Sequence, residues 1–286
     1  MKMRFCRKIM AVLAMCAFAA PVSAFWVEGD ATIGDGGYKA TRLAGYGIAD
    51  PNSILGVELA TYKAPKFSDV VYTVRMPWYV TMDNSLNFFR LFFYPGTKSV
   101  DNTAAGFVNK TIFSLYGKPG AEFSSSFALG VGSAFQITKD NSYGTSIPEL
   151  CYTLDYNQDY FGQFNFLLKG AAFQYFSRVH GNTFTDISMD QSELADLGIM
   201  AATLDFPQWS AGLQFTRFQD DTKSAAMYLG YNYVTFVTDV PAINSLGAGM
   251  RIKIMDNAFF NFDYNWIAQG SYSIRNYYKV LVKFGF

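Results

Sequence analysis

The hydrophobic positions of this 286-residue chain recur every second residue. In its last segment Tyr278, Val280, Val282, Phe284 and Phe286 share one parity, while Tyr277, Lys279, Leu281, Lys283 and Gly285 share the other. Successive side chains of a strand point to opposite faces, so this period predicts a β-strand. Phe260, Phe262, Tyr264 and Trp266 alternate in the same way with Asn261, Asp263 and Asn265. Ala248, Met250, Ile252 and Ile254 alternate with Gly247, Gly249, Arg251 and Lys253. The same template predicts strands near 27–33, 38–48, 54–64, 70–82, 85–95, 107–117, 121–138, 146–157, 160–178, 193–206, 209–219 and 223–237. Asp83-Asn84 and Asp256-Asn257 read as tight connections, and Asp50-Pro-Asn-Ser53 and Lys118-Pro-Gly120 as short turns. Gly34-Asp-Gly-Gly37 reads as a hairpin connection, and Pro207-Gln208 breaks a pattern that then resumes. The polar stretches 96–106, 139–145 and 179–192 read as loops.

These are fifteen candidates, and an antiparallel barrel with both ends on one side of a membrane needs an even number. Counting forward from Val27 and back from Phe286 puts 83–84 and 256–257 on conflicting sides, which locates the surplus between about 193 and 257 or at one end of the sheet. The expected fold is therefore all-β, a closed antiparallel transmembrane β-barrel of about 14 strands, with 12 and 16 as the neighbouring even counts. The 262 residues after Ala24 (286 − 24), shared among 14 strands, leave about 19 for each strand and its connection. No linker marks a domain boundary, so residues 25–286 are read as a single barrel domain.

Alternation alone also fits a soluble sandwich or a lipocalin-type barrel with its apolar face inside. Charge decides the direction. Glu58, Arg75, Arg90, Lys110, Asp155, Lys169, Arg251, Lys253, Asp263, Lys279 and Lys283 fall by parity on the face opposite large apolar residues, as do Glu28 and Asp30. Aromatic residues gather near the expected strand ends, among them Trp78, Tyr79, Phe93, Tyr94, Tyr160, Phe161, Trp209, Trp266 and Tyr278, where amphipathic rings suit the headgroup zone. With the apolar face outward in lipid, the charged face lines a lumen.

Near the start of the chain, Lys2, Arg4, Arg7 and Lys8 precede or adjoin an apolar run from Ile9 to Ala20, and Pro21-Val-Ser-Ala24 supplies small residues. This is the pattern of a cleavable export signal over residues 1–24, its core too short for a membrane-spanning helix. Cleavage would remove Cys6 and Cys16 and leave Cys151, so no internal disulfide is expected. The chain has 23 basic and 23 acidic residues, and losing the four early basic ones leaves 19 − 23 = −4. Nucleic-acid binding does not fit that balance.

The cleavable signal and the alternating terminal strand Tyr278, Val280, Val282, Phe284 and Phe286 resemble those of bacterial outer-membrane β-barrel proteins. The resemblance is to a class and reaches the rest of the chain through strand periodicity. It implies residence in the outer membrane of a diderm bacterium, with outer-membrane lipid as its surroundings. It also implies insertion by the barrel-assembly machinery, with those five residues as the assembly signal.

A lumen of mixed charge would hold water and favour small polar or weakly anionic solutes, which points to a channel or transporter; the solute is not specified by the sequence. Alternatively, opposite charges pair across strands, Asp263 with Lys279 or Lys283 for example, and the barrel serves as a surface or structural protein that binds a partner through its loops. A lipid-modifying enzyme is a third reading, resting on His180, the one histidine, with Ser177 or Asp186. No catalytic set, metal site or cofactor is expected: one His and one retained Cys make no transition-metal cluster, and Asp220-Asp221 reads as a turn. Ser124, Ser126, Ala128, Gly130, Gly132 and Ala134 form a strip of small residues that could leave room for an inserted loop or ligand, or could simply relieve crowding.

Overall fold

The structure is a computed structural model that describes residues 24–63, 70–94, 103–118, 124–140, 143–177, 206–270 and 275–286. Fourteen antiparallel strands close on themselves in chain order. They are β1 (Phe25–Gly34), β2 (Tyr38–Asp50), β3 (Ser53–Lys63), β4 (Val71–Met82), β5 (Ser85–Tyr94), β6 (Thr103–Tyr116) and β7 (Ser126–Asp140). The ring continues with β8 (Tyr143–Tyr160), β9 (Phe164–Tyr175), β10 (Pro207–Phe218), β11 (Ala225–Phe236), β12 (Ile243–Met255), β13 (Ala258–Gln269) and β14 (Arg275–Gly285). Closure gives the edge groups of every strand a partner, which a hydrocarbon environment requires. At the seam the Phe286 N–H donates to the Phe25 carbonyl at 2.7 Å, and the two rings stack with centroids 6.3 Å apart.

The expected fourteen strands are present among the described residues. β9 pairs directly with β10, Trp209 opposite Ala172 and Arg217 opposite Phe164. The ring therefore has no place for a strand between them. Apart from Phe206, the 193–206 candidate lies outside the described residues, as do the whole of the 179–192 loop and with it His180 and Asp186. With fourteen strands, 83–84 and 256–257 fall at the same rim, together with 51–52 and 161–163. We call this the short-turn rim.

Several boundaries differ from expectation, three of them for evident local reasons. The 160–178 candidate begins with a turn: Phe161 and Gly162 both take left-handed backbone (φ 56° and 68°), and the large aromatic residue hides a turn that only the glycine marks. The 139–145 stretch is mostly strand, since β7 runs to Asp140 and β8 resumes at Tyr143. Its polar side chains read as loop because a ladder uses backbone groups and needs no apolar side chain. Likewise 103–106 of the expected 96–106 loop belong to β6, opposite Lys139 to Gln136 of β7.

Burial follows parity. Leu91, Phe93, Phe107, Leu129, Leu229, Met250 and Ile252 are exposed on the outside, whereas Arg90, Phe92, Val108, Ala128 and Asp263 are buried on the inside. Trp78 faces out and donates to Ser53 Oγ at 2.7 Å. Tyr79, expected in the outer aromatic belt, faces inward against Phe88, ring centroids 5.0 Å apart, because neighbours along a strand cannot share a face.

Inward rings lie flat along the wall. Tyr46 of β2 covers Gly56 of β3, Phe92 of β5 covers Gly106 of β6, and Tyr277 of β14 covers Gly34 of β1; a Cβ at any of these glycines would collide with the ring.

The turn joining β10 to β11 is organised by Asp220. Its carboxylate accepts from the Ser224 N–H at 2.8 Å, from the Thr222 hydroxyl at 2.9 Å and from the Ser224 hydroxyl. These bonds favour the charged form and hold its pKa below the ordinary 3.8, the Ser224 side-chain bond contributing most. A depressed folded pKa adds stability that is present above the unfolded value and lost as pH falls through the folded one. The stability advantage of wild type over Asp220→Asn is therefore expected to be constant at neutral pH and to shrink below about pH 4. Urea midpoints of the two proteins in micelles across pH 3–7 check this, and a gap independent of pH would refute it.

Candidate functional site

The inner wall is the candidate site. All thirteen charged residues expected in the lumen lie on its inward parity. The register groups them. One row of directly opposed residues runs Lys253, Phe259, Lys283, Glu28, Ala44, Glu58, Arg75 and Phe92. The adjacent row runs Arg251, Asn261, Leu281, Asp30, Arg42, Ala60 and Thr73.

Arg42 sits where these rows meet three acids. Its Nε donates to Asp30 at 2.6 Å, Nη2 to Glu28 at 3.2 Å and Nη1 to Glu58 at 3.4 Å. Glu58 also faces Arg75 at 3.7 Å and accepts from the Tyr46 hydroxyl, while Lys283 reaches Glu28 at 3.3 Å. The result is a ladder of alternating charge, Lys283–Glu28–Arg42–Glu58–Arg75, spanning β14 to β4 across the closing seam. A planar guanidinium with five donors in a fixed fork is suited to serving several carboxylates at once.

Elsewhere the belt continues around the wall. Asp155 stands opposite Lys169, and Asp263 opposite Lys279. Of the two partners expected for Asp263, the register selects Lys279, because Lys283 is engaged with Glu28. Several cations also cover inward rings: Arg251 lies 4.5 Å from the Phe259 centroid, Lys283 5.0 Å from Trp26 and Arg90 5.9 Å from Phe88. Lys253 turns toward Asp256 at the short-turn rim, 2.9 Å away.

The long-loop half of the interior is different in kind. Tyr38, Phe92, Val108, Ile147, Phe173, Phe206, Val234, Phe236, Ile243, Ile267 and Tyr277 are all buried in one contiguous apolar cluster, joined by Tyr62 and Tyr175. Phe206 meets Tyr175 edge-on, centroids 5.2 Å apart. Most of these residues stand near the ends of their strands away from the short turns, so they form a collar above the charged belt. The lumen, expected to be polar and of mixed charge, carries its charges chiefly in its middle and short-turn half and is largely apolar toward the long loops, where Gln136 and Glu149 are also buried.

The strip of small residues along β7 faces inward from Ser126 to Ala134. At Gly130 the space is taken by neighbours: an added Cβ would meet the Thr153 hydroxyl and stand 3.1 Å from Lys110 Cε. The strip therefore accommodates side chains from β6 and β8. Cys151 is inward and fully buried. Asp220-Asp221 is a turn, and among the described residues no group of acids, His and Cys is arranged to hold a metal ion.

Arg42 and Glu149, the latter 1% exposed on β8, are inward charges that the charge pattern alone passes over. The parity of Tyr38, Ala40, Arg42, Ala44 and Tyr46 would have assigned Arg42 to the wall, but its small neighbours mask the contrast between faces. In the terminal strand, Tyr278, Val280, Phe284 and Phe286 are exposed and outward, and Val282 shares their face.

No protein-family model matches the chain. No characterised protein matches it in sequence. Among solved structures, a bacterial polysaccharide outer membrane secretin is similar with a TM-score of 0.53 at 12% identity, over 92% of this chain and 98% of that one. The Acinetobacter baumannii outer membrane protein Omp33 is similar with a TM-score of 0.50 at 11% identity, over 92% of this chain and 97% of that one. At these identities the likeness is one of fold, and the fold is that of a bacterial outer-membrane β-barrel protein.

Proposed function

We propose that this protein is an outer-membrane channel for small solutes, whose charged belt selects what passes and whose apolar collar sets the narrowest part of the route. The observation that carries the reading is the belt itself: fixed charges of both signs occur on inward positions of most strands of a barrel wider than those whose side chains fill the interior. Basic groups exceed acidic ones, most clearly at Arg251, Lys253, Lys279 and Lys283 on β12 and β14, and favour weakly anionic solutes. We further propose that the export signal is cleaved after Ala24 and that the barrel-assembly machinery inserts the chain into the outer membrane. The outward face of Tyr278, Val280, Val282, Phe284 and Phe286 leaves the assembly signal open to recognition.

Planar-bilayer recordings test the channel. Discrete conductance steps with a weak anion preference are expected from the folded protein, and Arg251→Glu combined with Lys253→Glu should move the reversal potential toward cation preference. Folded protein without steps would overturn the reading. A second reading, a non-conducting surface barrel, is favoured by the Lys283-to-Arg75 ladder, which satisfies much of the belt internally.

A further inference from the structure

On the outer face, at the long-loop rim, Lys39 of β2 and Lys63 of β3 stand directly opposite one another, and both are exposed. Like charges in that relation repel, since directly opposed side chains on neighbouring strands are about 5 Å apart at Cβ. The residues beneath them are ordered. Thr41 and Thr61 are the next outward pair, their hydroxyls 2.7 Å apart, and Leu43 and Leu59 are the pair after that. Down this two-strand column the surface passes from paired ammonium groups to hydroxyls to aliphatic side chains.

Resting on the membrane reading above, we infer that this column is a binding site for a phosphate-bearing lipid of the leaflet at the long-loop end. The phosphate bridges the Lys39 and Lys63 ammonium groups and removes their repulsion. The threonine hydroxyls face the ester region, and the hydrocarbon chain lies along Leu43 and Leu59. Two cations on directly opposed positions match a phosphate's charge, and the polarity sequence matches a lipid from headgroup to chain, which a soluble anion would not require.

The test uses the full-length folded protein in phosphatidylcholine nanodiscs containing a small fraction of either phosphatidic acid or diacylglycerol, with retained lipid counted by native mass spectrometry. Wild type should retain phosphatidic acid over diacylglycerol, and Lys39→Gln with Lys63→Gln should reduce that retention on the order of tenfold. Arg217→Gln, an exposed outward change near the other rim, should leave it unchanged. Equal retention by wild type and the double variant overturns the site, as does equal loss in Arg217→Gln. Displacement by millimolar inorganic phosphate overturns the lipid as the occupant. Folding and insertion are scored separately by the heat-dependent gel shift. Inserted protein that fails to select refutes only the lipid site, whereas failure to insert refutes the membrane reading with it.

Discussion

Replacing Arg42 with Met is expected to cost the barrel about 3–5 kcal/mol of stability, more than any other single substitution in the charged belt. Glu28, Asp30 and Glu58 all direct oxygens at this guanidinium, and removing it leaves three carboxylates on the two strands that flank β2 without their shared cation. The expected loss comes chiefly from that stranded charge, because breaking a withdrawn ion pair costs more than the pair contributes. Urea unfolding in micelles measures it. Adding Asp30→Asn and Glu58→Gln to Arg42→Met should restore a large part of the stability, which simple loss of packing would not allow. Lys283→Met should cost much less, since that ammonium is more exposed to water and serves only one end of the ladder.

Opening the apolar collar should change conduction more than any change in the belt. Phe92, Phe173 and Phe236 project into the interior from β5, β9 and β11, and all three are buried within the same cluster. An apolar constriction resists the passage of ions because water withdraws from it. Converting the three to Ala is expected to raise single-channel conductance on the order of a few-fold, provided the barrel folds despite a cost of about 3–5 kcal/mol per ring. Leu91→Ala, on the opposite face of β5, should leave conductance unchanged. Unaltered conductance in the triple variant would place the resistance elsewhere along the route.

These two expectations differ in how far the sequence foretells them. Strand direction and face were legible wherever charge opposed large apolar residues, as at Lys279 and Lys283 against Tyr278, Val280 and Val282. The parity conflict left the surplus between about 193 and 257 or at one end of the sheet, because periodicity alone cannot say which segment lacks a place in the ring. The collar was not legible. Phe88-Phe89 and Phe92-Phe93 place aromatic rings on both faces of one strand, so alternation loses its contrast where interior and exterior are both apolar. The ladder was half legible, because parity supplies the face of each charge whereas its partner depends on register, which is set around the whole ring.

The rings laid across glycines carry a consequence for how such a wall can diverge. Tyr46 and Gly56 lie on adjoining strands, and so do Tyr277 and Gly34, but each pair shares the volume of one residue. A lineage that acquires bulk at Gly56 must therefore shed it at Tyr46, and substitutions at these partnered sites should appear together in evolutionary relatives, even where the rest of the sequence drifts freely.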